Sequence, residues 1–142
     1  MKRIYIAMTL LLLIGSSCKT TRVSNSSEAE KLVIKFLGYM DHKAEPSNSL
    51  MMACISPAYI SDNKINIADS KVNNYTIWGF SIVSYYASTG IVVTKIWGEG
   101  KSWIHELDFK VVKENGCLYL MPSQFSESYI DPWFGLKSYI KE

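Results

Sequence analysis

The chain has 142 residues, of which 48% are hydrophobic, 13% aromatic and 20% charged. That length fits one domain, and the aromatic content excludes an intrinsically disordered polyampholyte. The formal charge of +2 rests on Lys2 and Arg3, beyond which 13 basic side chains balance 13 acidic ones, so net charge provides no basic footprint for nucleic acid.

Lys2 and Arg3 precede an almost unbroken apolar run, Ile4 to Ile14, and then the small residues Gly15, Ser16 and Ser17. This order predicts an export signal over residues 1–17. The apolar run is shorter than the roughly 20 residues of a bilayer span. The segment Leu13-Ile14-Gly15-Ser16-Ser17-Cys18 resembles a bacterial lipoprotein signal, with Gly15 where such signals usually carry leucine. The resemblance implies cleavage before Cys18, a diacylglyceryl group on its thiol, and residence on a membrane of a bacterial cell envelope. Two acyl chains anchor stably where one is marginal. No acidic residue directly follows Cys18, and the domain is expected to face the periplasm. Residues 18–26 are polar and aperiodic, which predicts a flexible tether; residues 27–142 form the single domain.

Ser27-Glu28-Ala29-Glu30 is a capping box ahead of Leu32, Val33, Phe36, Leu37 and Met40 at helical spacing, which predicts a helix over 27–41. Ser47 or Asn48 can cap a second helix running through Leu50 to Ile55, and Ser56-Pro57 starts another turn. Ser61 to Lys71 is a polar loop. From Val72 the period changes to two. Strands are expected over 75–87, 91–97, 103–113 and 117–121, with Gly79 as a bend or bulge position in the first. The Asn115-Gly116 pair marks a tight hairpin. The tail from Glu127 carries Tyr129, Ile130, Trp133, Phe134, Leu136 and Tyr139, and is expected to pack back onto the sheet or the helices.

In the third strand Trp103, His105, Leu107, Phe109 and Val111 share the inner face, while Glu106, Asp108 and Lys110 share the other. In the first, Trp78, Phe80 and Ile82 share one face, while Tyr75, Ile77, Val83 and Tyr85 share the other. Both sheet faces are partly apolar, which predicts helices on one side and the tail or a second copy of the chain on the other. The expected class is α+β, with N-terminal helices packed on a curved four-stranded antiparallel meander. The order of elements, with the segment Ile55-Ser56-Pro57-Ala58-Tyr59-Ile60, resembles the nuclear transport factor 2-like, or cystatin-like, fold over about 27–122. That resemblance implies a pocket between helices and sheet; it fixes no chemistry, because the fold serves isomerases, dehydratases and binding proteins.

Trp78, Trp97, Trp103 and His105 are the candidate pocket residues, in an aromatic set that includes Tyr75, Tyr85, Tyr86 and Trp133. Aromatic faces suit a small apolar ligand or a glycan. His105 is the one candidate general base. Glu106 and Asp108 pair on a polar face and read as solvated surface, and Asp69 lies in a loop within reach of a pocket mouth. Cys54 and Cys117 are either joined, as exported cysteines can be, or separately buried. His42 and His105 are not a metal pair by spacing, and no nucleotide-binding, metalloprotease or hydrolase motif is present. The sequence thus predicts a lipid-anchored, non-catalytic binding domain without cofactor or metal, for a small apolar ligand, a glycan or a protein partner, with homodimer formation. The alternatives are an envelope assembly subunit and a pocket isomerase or dehydratase using His105.

Overall fold

A computed structural model describes residues 27–45 and 47–139. The expected signal (1–17), Cys18 and the tether (19–26) lie outside the described residues. Helix α1, Glu28–Gly38, begins at the capping box: Glu30 N–H donates to Ser27 Oγ at 3.1 Å and Ser27 N–H to Glu30 Oε2 at 2.7 Å. Each satisfied amide removes one of the orphan donors of a helix start. Ala29, Val33, Phe36 and Leu37 bury one stripe of the helix, and Phe36 meets Phe109 edge to face at 5.8 Å. Burial stabilises each large side chain of that stripe by about 1.5–3 kcal/mol.

Helix α2 is short, Asn48–Met52, and Ser47 is its cap. Asn48 acts instead on the strand that follows. Its amide donates to Ser70 O at 3.0 Å and its carbonyl accepts from Val72 N–H at 2.9 Å. Helix α3, Pro57–Asp62, starts as the Ser-Pro signal predicts, with Ser56 Oγ accepting from Tyr59 N–H. Ser56 is fully buried, and its hydroxyl donates to Glu114, whose second oxygen takes Ala58 N–H at 3.2 Å. One carboxylate thus ties the α3 start to the far end of the sheet.

The strands are β1 Lys71–Val72, β2 Gly79–Tyr86, β3 Ile91–Trp97, β4 Ile104–Glu114, β5 Cys117–Met121, β6 Gln124–Ser126, β7 Tyr129–Asp131 and β8 Gly135–Tyr139. The expected α+β class and the antiparallel order of β2 to β5 are present. Asn115 and Gly116 turn β4 into β5 with φ of 50° and 82°, the positive pair that a type I′ turn needs.

Two expectations are corrected. The main sheet has five strands rather than four, because β4 outruns its partners. Glu114 to Lys110 pair with β5, while Ile104 to Asp108 pair on the same side with β8 from the tail. Leaving those five residues unpaired would expose a row of backbone donors and acceptors. The rest of the tail forms the β6–β7 hairpin, and β7 pairs in parallel with β1. The expected first strand, 75–87, is also shorter, Gly79–Tyr86, and the two-residue β1 lies ahead of it at Lys71–Val72.

The β2 bulge lies at Val83, not at Gly79. Ile82 pairs with Thr94 and Ser84 with Val93, so Val83 is extra. The bulge shifts the alternation by one. Tyr85 therefore joins Phe80 and Ile82 on the inner face, opposite its expected side. Val92, Thr94, Ile96, Leu107, Phe109 and Leu120 are completely buried beneath the helices. Thr94 Oγ1 donates to Leu107 O at 3.1 Å, so the one hydroxyl in that row is satisfied.

The pairing of Cys54 with Cys117 does not form, and Cys54 is a free, buried thiol. Its segment bridges Leu120: Leu120 N–H donates to Cys54 O at 2.7 Å and Ser56 N–H to Leu120 O at 2.9 Å. Cys117 lies three residues before Leu120, at the start of β5, about 10 Å away at strand rise, beyond the roughly 7 Å that a disulfide spans between Cα atoms.

Candidate functional site

The four candidate pocket residues separate into three places. Trp97 lies on the outer face, where it shares a row with Ile104 and Tyr139. Its indole rests over Gly79, which has no side chain to obstruct it, and Lys101 Nζ sits 5.1 Å from the ring centre. Trp78 is exposed and stacks on His42, with ring centres 3.9 Å apart and planes 6° apart. His42 Nδ1 lies 3.3 Å from Asp41 Oδ1 and has no hydrogen-bond partner among the described residues.

Trp103 and His105 are brought together at the end of the inner face, with ring centres 4.9 Å apart. Alternation along β4 places both side chains there. Gly98 makes room for the Trp103 indole, because a Cβ on it would fall well inside 3.0 Å of that ring. Tyr75, from the segment before β2, is the hub of the cluster. Its ring centre lies 6.0 Å from Trp103, 5.4 Å from His105 and 5.2 Å from Trp133, which it overlaps at 27°. All four side chains are half-buried. They form a continuous aromatic patch with an accessible rim.

His105 Nδ1 is 2.8 Å from Ser138 Oγ on β8. Among the described residues no carboxylate pairs with this imidazole. A catalytic base is ordinarily oriented by a third group, and here stacking and one hydroxyl do that instead. The imidazole and the hydroxyl offer hydrogen bonds at the rim of the aromatic patch.

Asp131 flanks the same patch. Asn73 Nδ2 donates to Oδ1 and Gln124 Nε2 to Oδ2, the latter at 2.6 Å. Burial, with the Asp131 carboxylate adding to it, holds the hydroxyls of Tyr75 and Tyr59 above the usual phenol range. A phenolate beside that carboxylate would be poorly solvated and repelled.

The remaining candidates stand apart from this patch. Glu106 is on the outer face, 3.4 Å from both Lys137 Nζ and the Tyr139 hydroxyl. Asp108 shares that face, beside Gly135. Asp69 accepts from Asn66 Nδ2 at 2.5 Å within its exposed loop. No group of three or more His, Cys, Asp or Glu side chains among the described residues is arranged to hold a metal ion. An open cleft of about 420 Å³ lies at the start of α1, lined by Glu28, Ala29, Tyr85, Gly90, Val111 and Leu118. It shares no residue with the aromatic patch.

Two members of this neighbourhood escaped sequence reasoning. Asp131 and Ser138 sit in the tail, and only strand pairing brings them to Tyr75 and His105. The tail's apolar content signalled that it packs, though not where.

Comparison with protein families, with curated proteins and with solved structures finds no match to this chain.

Proposed function

We propose that this chain is a lipid-anchored protein of a bacterial cell envelope whose folded domain binds a small ligand without transforming it. In this reading Cys18 carries the lipid, residues 19–26 are the tether, the domain faces the periplasm, and its fold is of the nuclear transport factor 2-like kind. Lys2 and Arg3, the apolar run and the small residues before Cys18 support the anchor. Helices on one face of an antiparallel sheet support the fold.

The observation that carries the binding function is the half-buried cluster of Tyr75, Trp103, His105 and Trp133. Aromatic side chains present a large, rigid contact area at low entropic cost, and a few polar groups at their edge set the orientation of a ligand. Binding is better supported than turnover, since His105 touches a hydroxyl and aromatic rings but no described carboxylate.

A second reading, an assembly subunit or homodimer, is favoured by one feature. Phe134, Leu136 and Tyr139 are exposed along the tail, two of them in the edge strand β8. Leu136 faces the inner side and Tyr139 the outer, so the apolar exposure follows the edge of the sheet, where a further strand can pair.

Native mass spectrometry of the full-length chain, extracted gently from its membrane, tests both readings. A retained small-molecule mass, lost in Trp103→Ala, is expected. A dimer or protein complex without a small molecule would shift the function to assembly. The same spectrum tests the anchor: an N-terminal peptide with an unmodified or disulfide-bonded Cys18 would refute lipidation.

A further inference from the structure

The parallel pairing of β1 with β7 joins residues 58 positions apart, Lys71 with Tyr129 and Val72 with Ile130. The same offset continues past the end of the ladder in the side chains. Asn73 bonds Asp131, and Tyr75 stacks on Trp133. Residues two apart in extended chain face the same side, so the Asp131 carboxylate and the aromatic patch open on one surface, roughly 7 Å apart along the chain.

Asp131 carries an unpaired charge on that surface, although Lys71 stands on the same side two positions before Asn73. Both Asp131 oxygens are held by neutral amides, from Asn73 and Gln124. These orient the carboxylate but leave its charge in place. Among the described residues no lysine, arginine or histidine nitrogen lies within 4.0 Å of it. The faces of Tyr75, Trp103 and Trp133 carry the negative side of the ring quadrupole. A fixed carboxylate beside electron-rich ring faces is a poor surface for an anion and an unremarkable one for a neutral sugar. It is complementary to a positive charge with an apolar surface.

We infer that the Tyr75–Trp103–Trp133 patch with Asp131 is a binding site for an organic ammonium cation, a quaternary or protonated amine with the rings against its alkyl surface and Asp131 as its counter-charge. This deepens the ligand-binding reading above and rests on it. Attraction of such cations to ring faces is the physical basis of recognition, and a carboxylate in a partly desolvated place strengthens it. A free organic ammonium and the ammonium of a lipid headgroup present the same chemistry to this site.

The test is a tryptophan-fluorescence titration of the full-length chain in a maltoside detergent. The probes are tetramethylammonium chloride, choline, a phosphocholine-headed short-chain lipid, and the neutral choline isostere 3,3-dimethylbutan-1-ol, all at matched sodium chloride. Saturable binding of the three ammonium-bearing probes is expected, with the isostere at least about tenfold weaker. The short-chain lipid binding tighter than choline identifies a headgroup as the source, and equal binding identifies the free cation. Asp131→Asn keeps the shape and is expected to weaken tetramethylammonium about tenfold or more, whereas Asp69→Asn, in an exposed loop apart from the patch, is expected to leave the affinity unchanged.

An isostere that binds as tightly as choline would overturn the cation assignment while leaving an apolar binding site intact. Unchanged affinity in a folded Asp131→Asn would overturn it equally. The isostere comparison needs no variant, so it decides the matter even if that substitution unfolds the protein. No response to any probe, with a different small molecule retained in native mass spectrometry, removes the ammonium inference alone. The absence of any retained ligand as well removes the binding reading with it.

Discussion

Gly98→Ala isolates the packing that holds Trp103 in the aromatic patch. Gly98 has φ −84° and ψ −176°, extended backbone open to any residue, so the substitution carries no conformational penalty. The new methyl group would lie well inside 3.0 Å of the Trp103 indole, against an ordinary contact of 3.4–4 Å. The indole has to move by about 1 Å, within the range where overpacking costs about 1–3 kcal/mol. Trp103 meets Tyr75 and His105. At about 0.5–1.5 kcal/mol for each aromatic contact, losing both gives the same figure of about 1–3 kcal/mol. Urea unfolding of Gly98→Ala, Trp103→Leu and the double variant measures it. In the Trp103→Leu background the alanine is expected to be neutral or to stabilise by up to about 1 kcal/mol, through the unfolded chain. The coupling between the two sites should therefore reach about 1–4 kcal/mol. An equal cost of Gly98→Ala in both backgrounds would show that the glycine serves something other than the indole.

Three further outcomes follow from the packing and the titrating groups. Glu114→Ala strands the buried Ser56 hydroxyl and the Ala58 amide, and should cost about 2–4 kcal/mol in urea unfolding, with Glu114→Gln near half of that; a loss below about 0.5 kcal/mol for both would mean that α3 is not tied through this carboxylate. Asn48→Ala removes both side-chain bonds to the β1 backbone and should cost about 1–3 kcal/mol, with faster hydrogen exchange at Val72 as its local signature; unchanged exchange there would count against the tie. Burial raises Cys54, Tyr59 and Tyr75 above their ordinary values of 9.0 for the thiol and 10.0 for the phenols. As pH rises the unfolded chain releases these protons first, so stability present below about pH 9 is lost above it. Cys54→Ala should remove the earlier part of that loss and leave the later, tyrosine part, and a urea midpoint that stays flat from pH 8.5 to 11 would contradict the assignment.

Where a signal is local, the sequence carries it faithfully. The capping box starts α1 at Glu28, Ser56-Pro57 starts α3, and Asn115-Gly116 closes the β4–β5 hairpin. Each depends on bonds within about four residues. The bounds of β3 and β5 are legible because turn residues flank them. What fails is whatever depends on a distant partner. Nothing in the run Gly79 to Tyr86 marks Val83 as the extra residue, since the bulge is defined against Thr94 and Val93 across the sheet. One such residue was enough to turn Tyr85 to the other face. β8 looks like an apolar tail because its pairing partner lies 31 positions back, at Glu106 and Lys137 among others, and an alternation of five residues is too short to identify a strand by itself.

The same division runs through the candidate site. Trp103 and His105 are two apart on one strand, so period-two alternation places them together without further information. Trp97 has the right chemistry on the wrong face: it shares its alternation with Val93 and Lys95, opposite the buried Val92, Thr94 and Ile96. Trp78 is drawn to His42 because the turn after α1 bonds the segment before β2, with His42 N–H donating to Ile77 O at 2.8 Å. Tyr75, Asp131 and Trp133 meet through a parallel pairing only two residues long, a contact whose loop-closure entropy is met only by the packing of the whole domain. A site made this way is positioned by the core around it rather than by a contiguous motif. Its geometry should therefore be sensitive to substitutions such as Gly98→Ala that touch none of its polar groups, and that sensitivity distinguishes a patch held in place from one that merely happens to be exposed.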